Sequence, residues 1–233
     1  MNQDQQVDKP SGVISKVEKQ EKQQERYNIY IEDKYAFSVY EDTLIKYKLF
    51  KGTAVDIGQI EQILKADELQ RAYRTAILAL SRRLRTEQEL QSRLAGKGYD
   101  PEISREIIRR LKAEGYINDY EYAVSLTKQR VMSQKKGRLY VRQELLHKGI
   151  PKELATEALQ KIDPETEYEQ ALELALKRWN RSSDQSREAK RKIAAFLLRR
   201  GYPGSVVSQV VKNLHANKQH SDEDEHADEI EFD

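Results

Sequence analysis

Residues 89–99 read ELQSRLAGKGY, and two later segments align with them without gaps: YVRQELLHKGI at residues 140–150 and KIAAFLLRRGY at residues 192–202. The alignment is centred on three glycines that are 51 and 52 residues apart. Because many independent positions agree on one register, the sequence predicts a unit of about fifty residues repeated three times. The recurring residues are the glycines Gly98, Gly149 and Gly201, an apolar residue eight before each (Leu90, Val141, Ile193), a leucine four before (Leu94, Leu145, Leu197) and a cation directly before (Lys97, Lys148, Arg200).

Each aligned segment has the features of a helix and its terminator. Apolar residues four apart form one helical face, and the cation before the glycine lies at the negative end of the helix dipole. The glycine then ends the helix in a left-handed conformation, and a second amphipathic helix follows. A further helix is predicted before each segment, so each repeat has three helices; these first helices are predicted at Ala72–Leu84, Tyr120–Met132 and Glu167–Trp179. Thr86-x-x-Glu89 is typical of a capping box at the start of the first aligned helix.

The region before the repeats alternates apolar and polar residues with a period of two. This pattern predicts a small antiparallel sheet of two or three strands, with a tight turn at Glu32-Asp33. Two short helices are expected after it. The predicted elements are a strand around Val13–Val17, strands at Arg26–Ile31 and Lys34–Tyr40, and helices at Leu44–Leu49 and Asp56–Lys65.

The predicted fold class is therefore mainly α. Three tandem three-helix repeats are expected in an elongated curved array, preceded by a small antiparallel β-hairpin or sheet region. The expected divisions are a disordered tail at 1–12, a β-rich region with short helices at 13–66, repeats at 67–117, 118–163 and 164–215, and an acidic disordered tail at 216–233.

Composition excludes several classes of protein. The 233 residues contain no cysteine, which excludes disulfides and thiolate metal sites. No apolar run approaches the roughly 20 residues of a membrane span, and the start lacks the features of a secretory signal, so a cytoplasmic location is expected. The net charge of +2 conceals an asymmetry, because residues 221–233 hold eight acids and no lysine or arginine. A basic body with an acidic tail indicates an anionic partner, and the tail is expected to compete with that partner for the basic surface.

Three stretches resemble the RecX family of regulatory proteins, over roughly residues 70–215. They are Ser81-x-Arg83 with Thr86-x-x-Glu89-Leu90-x-x-x-Leu94-x-x-Lys97-Gly98, then Gly115-Tyr116-Ile117-Asn118-Asp119-Tyr120-x-x-Ala123, then Gly137-Arg138-x-x-Val141-Arg142-x-Glu144-Leu145-x-x-Lys148-Gly149-Ile150. Thr86 stands where the family more often has serine, and Leu139 where proline is common. The resemblance implies three tandem three-helix repeats and a protein that binds the RecA filament on single-stranded DNA. It implies binding in the helical groove of the filament and suppression of filament growth, ATP hydrolysis and strand exchange.

Basic residues are the candidate contacts with that partner. A dense group lies around the first link of the second repeat, and a second group lies in the first repeat. For any single cation, a solvated helix face is the alternative, whereas the density of the first group favours binding to phosphates or to an acidic filament groove. The candidates are Lys128, Arg130, Lys135, Lys136, Arg138 and Arg142, with Arg82, Arg83, Arg85 and Arg109.

No pattern in the sequence indicates an enzyme. Phosphate-binding loops, nucleophile elbows and zinc motifs are absent, so no catalytic residue, metal or cofactor is predicted. His215, His220 and His226 with the nearby acids are interpreted as part of a solvated tail rather than a metal site. A monomer is expected. The alternative function is a helical-repeat module that binds single- or double-stranded DNA weakly and directly through its basic face, and a purely structural adaptor is a third class.

Overall fold

The computed structural model describes residues 11–21, 25–182 and 186–214. These residues form two compact units: the first holds the residues up to 83 together with 90–116, and the second holds 84–89 and the residues from 117 onward. The predicted acidic tail at 216–233 and its histidines lie outside the described residues, as does almost all of the predicted tail at 1–12.

The first unit begins with a four-stranded antiparallel sheet in the order β3-β2-β1-β4. The strands are β1 (Gly12–Lys19), β2 (Arg26–Ile31), β3 (Lys34–Tyr40) and β4 (Ala54–Val55). Glu32 and Asp33 join β2 to β3 with positive φ angles of 50° and 63°, as in the primed turns that suit a two-residue hairpin. The prediction of two or three strands missed at least β4, which has only two residues and shows no alternation in the sequence.

Two helices accompany the strands in the first unit: α1 (Glu41–Lys46) lies between β3 and β4, and α2 (Ile57–Leu80) follows β4. Asp56 caps α2 by accepting a hydrogen bond from the backbone N–H of Gln59 at 2.8 Å. The sequence predicted two separate helices here, Asp56–Lys65 and Ala72–Leu84. The structure instead has the single helix α2, which continues through residue 66 without a break. Beyond Gly58 in its first turn, α2 contains no glycine or proline, and Asp67 anchors its middle by accepting a hydrogen bond from the backbone N–H of Tyr40 at 2.7 Å.

The helices of the three repeats confirm the predicted three-helix units. The first repeat uses the end of α2, then α3 (Glu87–Ala95) and α4 (Pro101–Ala113); the second uses α5 (Asp119–Lys128), α6 (Arg138–His147) and α7 (Lys152–Gln160); the third uses α8 (Pro164–Trp179), α9 (Arg187–Arg199) and α10 (Gly204–Asn213). One difference concerns α5, which was predicted to continue to Met132. It changes at Gln129 into a π-helix, Gln129–Ser133, a feature that hydrophobic periodicity does not reveal.

The three glycines end their helices as predicted. Gly98, Gly149 and Gly201 have φ angles of 82°, 80° and 85°. After each one, the next backbone N–H returns to the carbonyl of the leucine that lies four residues before the glycine, at 3.1 to 3.2 Å. This is the Schellman pattern, and it satisfies carbonyl groups that a helix end otherwise leaves without partners.

Consecutive repeats in the second unit meet end to end at their middle helices. The backbone N–H groups of Gly137 and Leu139, at the start of α6, donate to the carbonyls of Arg200 and Gly201 at the end of α9, both at 3.0 Å. The hydroxyl of Thr86, before α3, likewise donates at 2.7 Å to the carbonyl of Lys148, at the end of α6. Each junction therefore provides partners for groups that the helix ends cannot satisfy internally.

Each of these repeats also has an apolar core. In the second repeat Val141 and Leu145 of α6 pack among buried residues of α5 and α7. In the third repeat Ile193 and Leu197 of α9 pack with Trp179 and Tyr202. Four of these residues occupy the apolar positions eight and four before the glycines, so the predicted repeat pattern is the pattern of core residues.

Candidate partner-binding groove on the second and third repeats

The predicted basic group of the second repeat is partly neutralised inside the protein. Arg130 donates two hydrogen bonds to Glu144, at 2.7 and 2.5 Å, and the two side chains are only 19% exposed. The guanidinium of Arg130 lowers the pKa of the Glu144 carboxyl. Arg130 therefore holds α6 against the π-helix and offers little positive charge to a partner.

Two further cations of this group pair with acids of the third repeat. Arg138 contacts the carboxylate of Glu167 at 2.5 Å, and the same carboxylate accepts the backbone N–H of Arg138 at 2.8 Å. Glu167 is 2% exposed, so this is a buried anchor between α6 and α8. Lys135 forms an ion pair with Glu173. The two acids lie 29 and 38 residues farther along the chain, which is why the local sequence overstates the free charge.

The three remaining cations of the group have different surroundings. The ammonium of Lys136 lies 4.2 Å from the centre of the Tyr140 ring, a cation–π contact. Lys128 is exposed and lies beside a concavity of about 290 Å³ that Val131 and Met132 of the π-helix line. Arg142 is exposed on α6, and within the described part of the chain it makes no ion pair.

The predicted cations of the first repeat are distributed over both units. Arg82, Arg83 and Arg109 are exposed in the first unit. Arg85 is half-buried and belongs to the second unit, with the residues at the start of α3.

Arg142 instead lies in a groove between α6 and the end of α9, which we call the α6–α9 groove. It has a volume of about 320 Å³. Arg199 is exposed in the same groove, and it too makes no ion pair with any described residue. The lining residues are Leu139, Tyr140, Arg142, Gln143, Leu146, Leu198, Arg199 and Gly201.

Three leucines give the α6–α9 groove an apolar surface between its arginines. Leu139, Leu146 and Leu198 are 49%, 43% and 52% exposed, although the chain has ample core positions for leucine. Leu139, Arg142 and Leu146 have the spacing i, i+3, i+7 and therefore share one face of α6. Exposed leucines beside unpaired arginines are characteristic of a surface that binds another molecule.

Positive charge continues along α9 beyond the groove. Arg187 and Arg191 are exposed, and no described residue forms an ion pair with either. Arg191 precedes Leu198 by seven residues, so the two side chains lie on one face of the helix. The basic surface therefore extends from α9 into the groove.

Sequence reasoning identified Arg142 but missed its neighbours Leu198 and Arg199. The repeat register contained a signal for them. Leu146 and Leu198 both stand three residues before a repeat glycine, next to the leucine that fills the core. The leucine four residues before each glycine faces the core. The leucine that directly follows it is rotated by about 100° around the helix and therefore faces outward.

No group of three or more possible metal ligands occurs among the residues that the structure describes. In the same residues, no helix is both long enough and apolar enough to cross a membrane. The groove is lined by two arginines, Gln143, three leucines and the ring of Tyr140, and its lining includes no carboxylate, histidine or serine.

Comparison with known proteins places the whole chain in one family. Models of the RecX family match four segments: the regulatory protein RecX N-terminal domain matches residues 12–56, and the first, second and third three-helix domains of RecX match residues 72–111, 118–159 and 165–211. These boundaries coincide with the sheet and the three helical repeats.

Curated relatives and solved structures agree with these matches. The regulatory protein RecX of Bacillus cytotoxicus is 35% identical over 92% of this chain and 81% of its own length, and that of Listeria welshimeri is 33% identical over 83% and 72%. A crystal structure of regulatory protein RecX matches with a TM-score of 0.71 and 35% identity, over 85% of this chain and 98% of its own. That of RecX from Lactobacillus salivarius has a TM-score of 0.61 and 30% identity, over 64% and 97%. This chain therefore belongs to the RecX family of regulatory proteins.

Proposed function

We propose that this chain is a non-enzymatic regulator that binds the filament formed by RecA on single-stranded DNA, and that the α6–α9 groove supplies part of its binding surface. Membership of the RecX family supports a regulatory role toward RecA. The observation that carries the choice of site is the pair of exposed arginines, Arg142 and Arg199, which make no ion pair with any described residue and lie beside three exposed leucines. The proposed place of action is the cytoplasm, and the proposed active form is a monomer.

The chemistry of the groove favours a protein partner over bare nucleic acid. Phosphates attract arginines but gain little from leucine side chains, whereas protein interfaces combine an apolar centre with arginine. An acidic protein surface with apolar side chains satisfies both parts of the groove. We therefore assign the groove to RecA itself rather than to the DNA within the filament.

Inhibition follows from linking several binding modules in one chain. Once one repeat is bound, the tether raises the effective concentration of the next repeat at the neighbouring subunit. A ligand that lies in the helical groove of the filament favours the arrangement that it fits. It thereby resists the changes that filament growth, ATP hydrolysis and strand exchange require.

A titration with matched charge variants tests the site. Arg142→Glu/Arg199→Glu should weaken binding to RecA-coated single-stranded DNA by at least about tenfold, which corresponds to about 1.4 kcal/mol. Lys152→Glu/Lys177→Glu changes the net charge equally at exposed positions on α7 and α8, and neither lysine pairs with any described residue. This control should bind like the unaltered chain, apart from a small general charge effect.

Two outcomes would contradict the assignment. If both double variants lose the same affinity, the interaction depends on total charge and not on the groove. If the unaltered chain binds bare single-stranded DNA as tightly as the RecA-coated strand, with equally steep salt dependence, direct nucleic-acid binding replaces the present proposal.

A further inference from the structure

We propose that the acidic segment 221–233 occupies the α6–α9 groove of its own chain and there competes with the filament. The inference rests on the function proposed above, because it concerns regulation of the same surface. Its basis is the charge and apolar character of the groove, together with the position at which the chain leaves the described structure.

Charge complementarity is the first support. Residues 221–233 contain eight acids and no lysine or arginine. Within the second and third repeats, many cations already have internal acid partners, such as Arg130 with Glu144 and Arg138 with Glu167. The arginines of the groove have none among the described residues, so they are among the cations that an acidic segment can neutralise, and exposed leucines lie beside them.

The segment also carries the apolar side chains that the groove requires. Its final stretch, DEIEFD at residues 228–233, places Ile230 and Phe232 two residues apart among acids. In an extended chain, residues two apart lie on the same side, so both can contact the exposed leucines together. The preceding acidic run, DEDE at residues 222–225, remains for the arginines of the groove and of α9.

The chain leaves the described structure close to the groove. Asn213, at the end of α10, lines a concavity of about 820 Å³ together with Arg138 and Leu139. Leu139 also lines the α6–α9 groove, so the two concavities share this leucine. The ten residues of α6 span about 15 Å. The 16 residues from Leu214 to Ile230 extend up to about 50 Å, which is ample to reach the far end of the groove.

Occupation of the groove lowers the apparent affinity for the filament without any change in the binding surface. If the segment fills the groove nine-tenths of the time, the apparent affinity falls about tenfold. Replacing Ile230 and Phe232 by serine should recover most of that factor, because the segment then loses its apolar contacts with the groove while the binding surface is unchanged.

A spin label in the full chain tests the contact directly. The sequence has no cysteine, so His226→Cys provides a single attachment site that leaves every acid of the segment in place. In an NMR spectrum of the labelled chain, paramagnetic relaxation by the label should reduce the backbone amide signal intensities of α6 and of the end of α9. The loss should persist in the Lys152→Glu/Lys177→Glu background and disappear with Arg142→Glu/Arg199→Glu.

Three results would overturn the inference: no loss of intensity on α6 and α9, an equal loss in both charge-reversed backgrounds, or a loss that requires labelled and unlabelled chains to be mixed, which would mean that a second copy supplies the segment. The experiment contains no RecA and is therefore independent of the proposed function. If the groove variant weakens filament binding but the spin label has no effect, the filament site stands and the internal contact falls. The opposite pair of results leaves the internal contact standing and removes the filament site.

Discussion

Replacing Gly137 by alanine tests how closely α6 and α9 are joined. The backbone at Gly137 has φ −74° and ψ 159°, which any residue adopts without strain. A Cβ atom there would lie 2.3 Å from the carbonyl oxygen of Gly201 and 2.4 Å from the backbone nitrogen of Tyr202. Both are backbone atoms that cannot rotate away, so the two helix ends must separate by at least about 0.7 Å to restore a tolerable contact.

That separation determines the expected loss of stability. The backbone hydrogen bonds from Gly137 to Arg200 and from Leu139 to Gly201, each 3.0 Å long, would stretch beyond useful length. Leaving such buried groups unsatisfied costs about 1–3 kcal/mol each. Alanine also restricts the unfolded chain and returns about 0.4–1 kcal/mol. The free energy of unfolding of the second unit should therefore fall by about 1–5.5 kcal/mol.

Urea unfolding followed by the fluorescence of Trp179 measures this change. Trp179 is the single tryptophan of the chain and is buried in the third repeat. Gly204→Ala is the matched control, because a Cβ at Gly204 would meet no atom within 4 Å and alanine favours the helix that starts there. We expect the control to be neutral or slightly stabilising. A loss below about 1 kcal/mol for Gly137→Ala would refute the close junction.

Three further substitutions test individual contacts. Glu167→Ala should cost about 3 kcal/mol in urea unfolding, because it removes the buried acceptor of the Arg138 side chain and backbone N–H; a loss no larger than that of an average surface change would contradict this role. Thr86→Val should destabilise the chain by about 1–2 kcal/mol and Thr86→Ser should not, since the buried hydroxyl both caps α3 and reaches the next repeat; equal effects would show that the hydroxyl contributes nothing. Glu144→Gln should weaken the loss of stability on acidification, because Arg130 holds the pKa of the Glu144 carboxyl below its ordinary 4.5. The resulting stabilisation is present above pH 4.5 and is lost as the pH falls through the lowered pKa. An unchanged dependence of the urea midpoint on pH would argue against this.

The repeated helices were predictable because their signals are local. A glycine with positive φ and a leucine four residues before it determine one helix end by themselves, and three copies of the pattern reinforce one another. The break between two helices predicted near residue 66 was wrong because no local signal decides the structure there. Local propensity permitted either outcome there, and the decisive contact comes from Tyr40, which is distant in the sequence.

The free charge of the site was not predictable in the same way. Whether Arg138 is available to a partner depends on Glu167, which stands 29 residues later and reaches it only in the folded second unit. A count of cations along the chain cannot separate Arg138, which is paired, from Arg142, which is exposed. The outward-facing Leu198 was available from the repeat register, but its role depends on the approach of α9 to α6.

The most direct test of the central claim is inhibition of RecA by the purified chain and its variants. The measured quantity is the concentration of chain that halves the single-stranded-DNA-dependent ATP hydrolysis by RecA. We predict that Arg142→Glu/Arg199→Glu raises this concentration at least about tenfold, while Lys152→Glu/Lys177→Glu leaves it nearly unchanged. Equal inhibition by both variants would contradict the assignment of the groove, and no inhibition by the unaltered chain would contradict the proposed restraint of RecA.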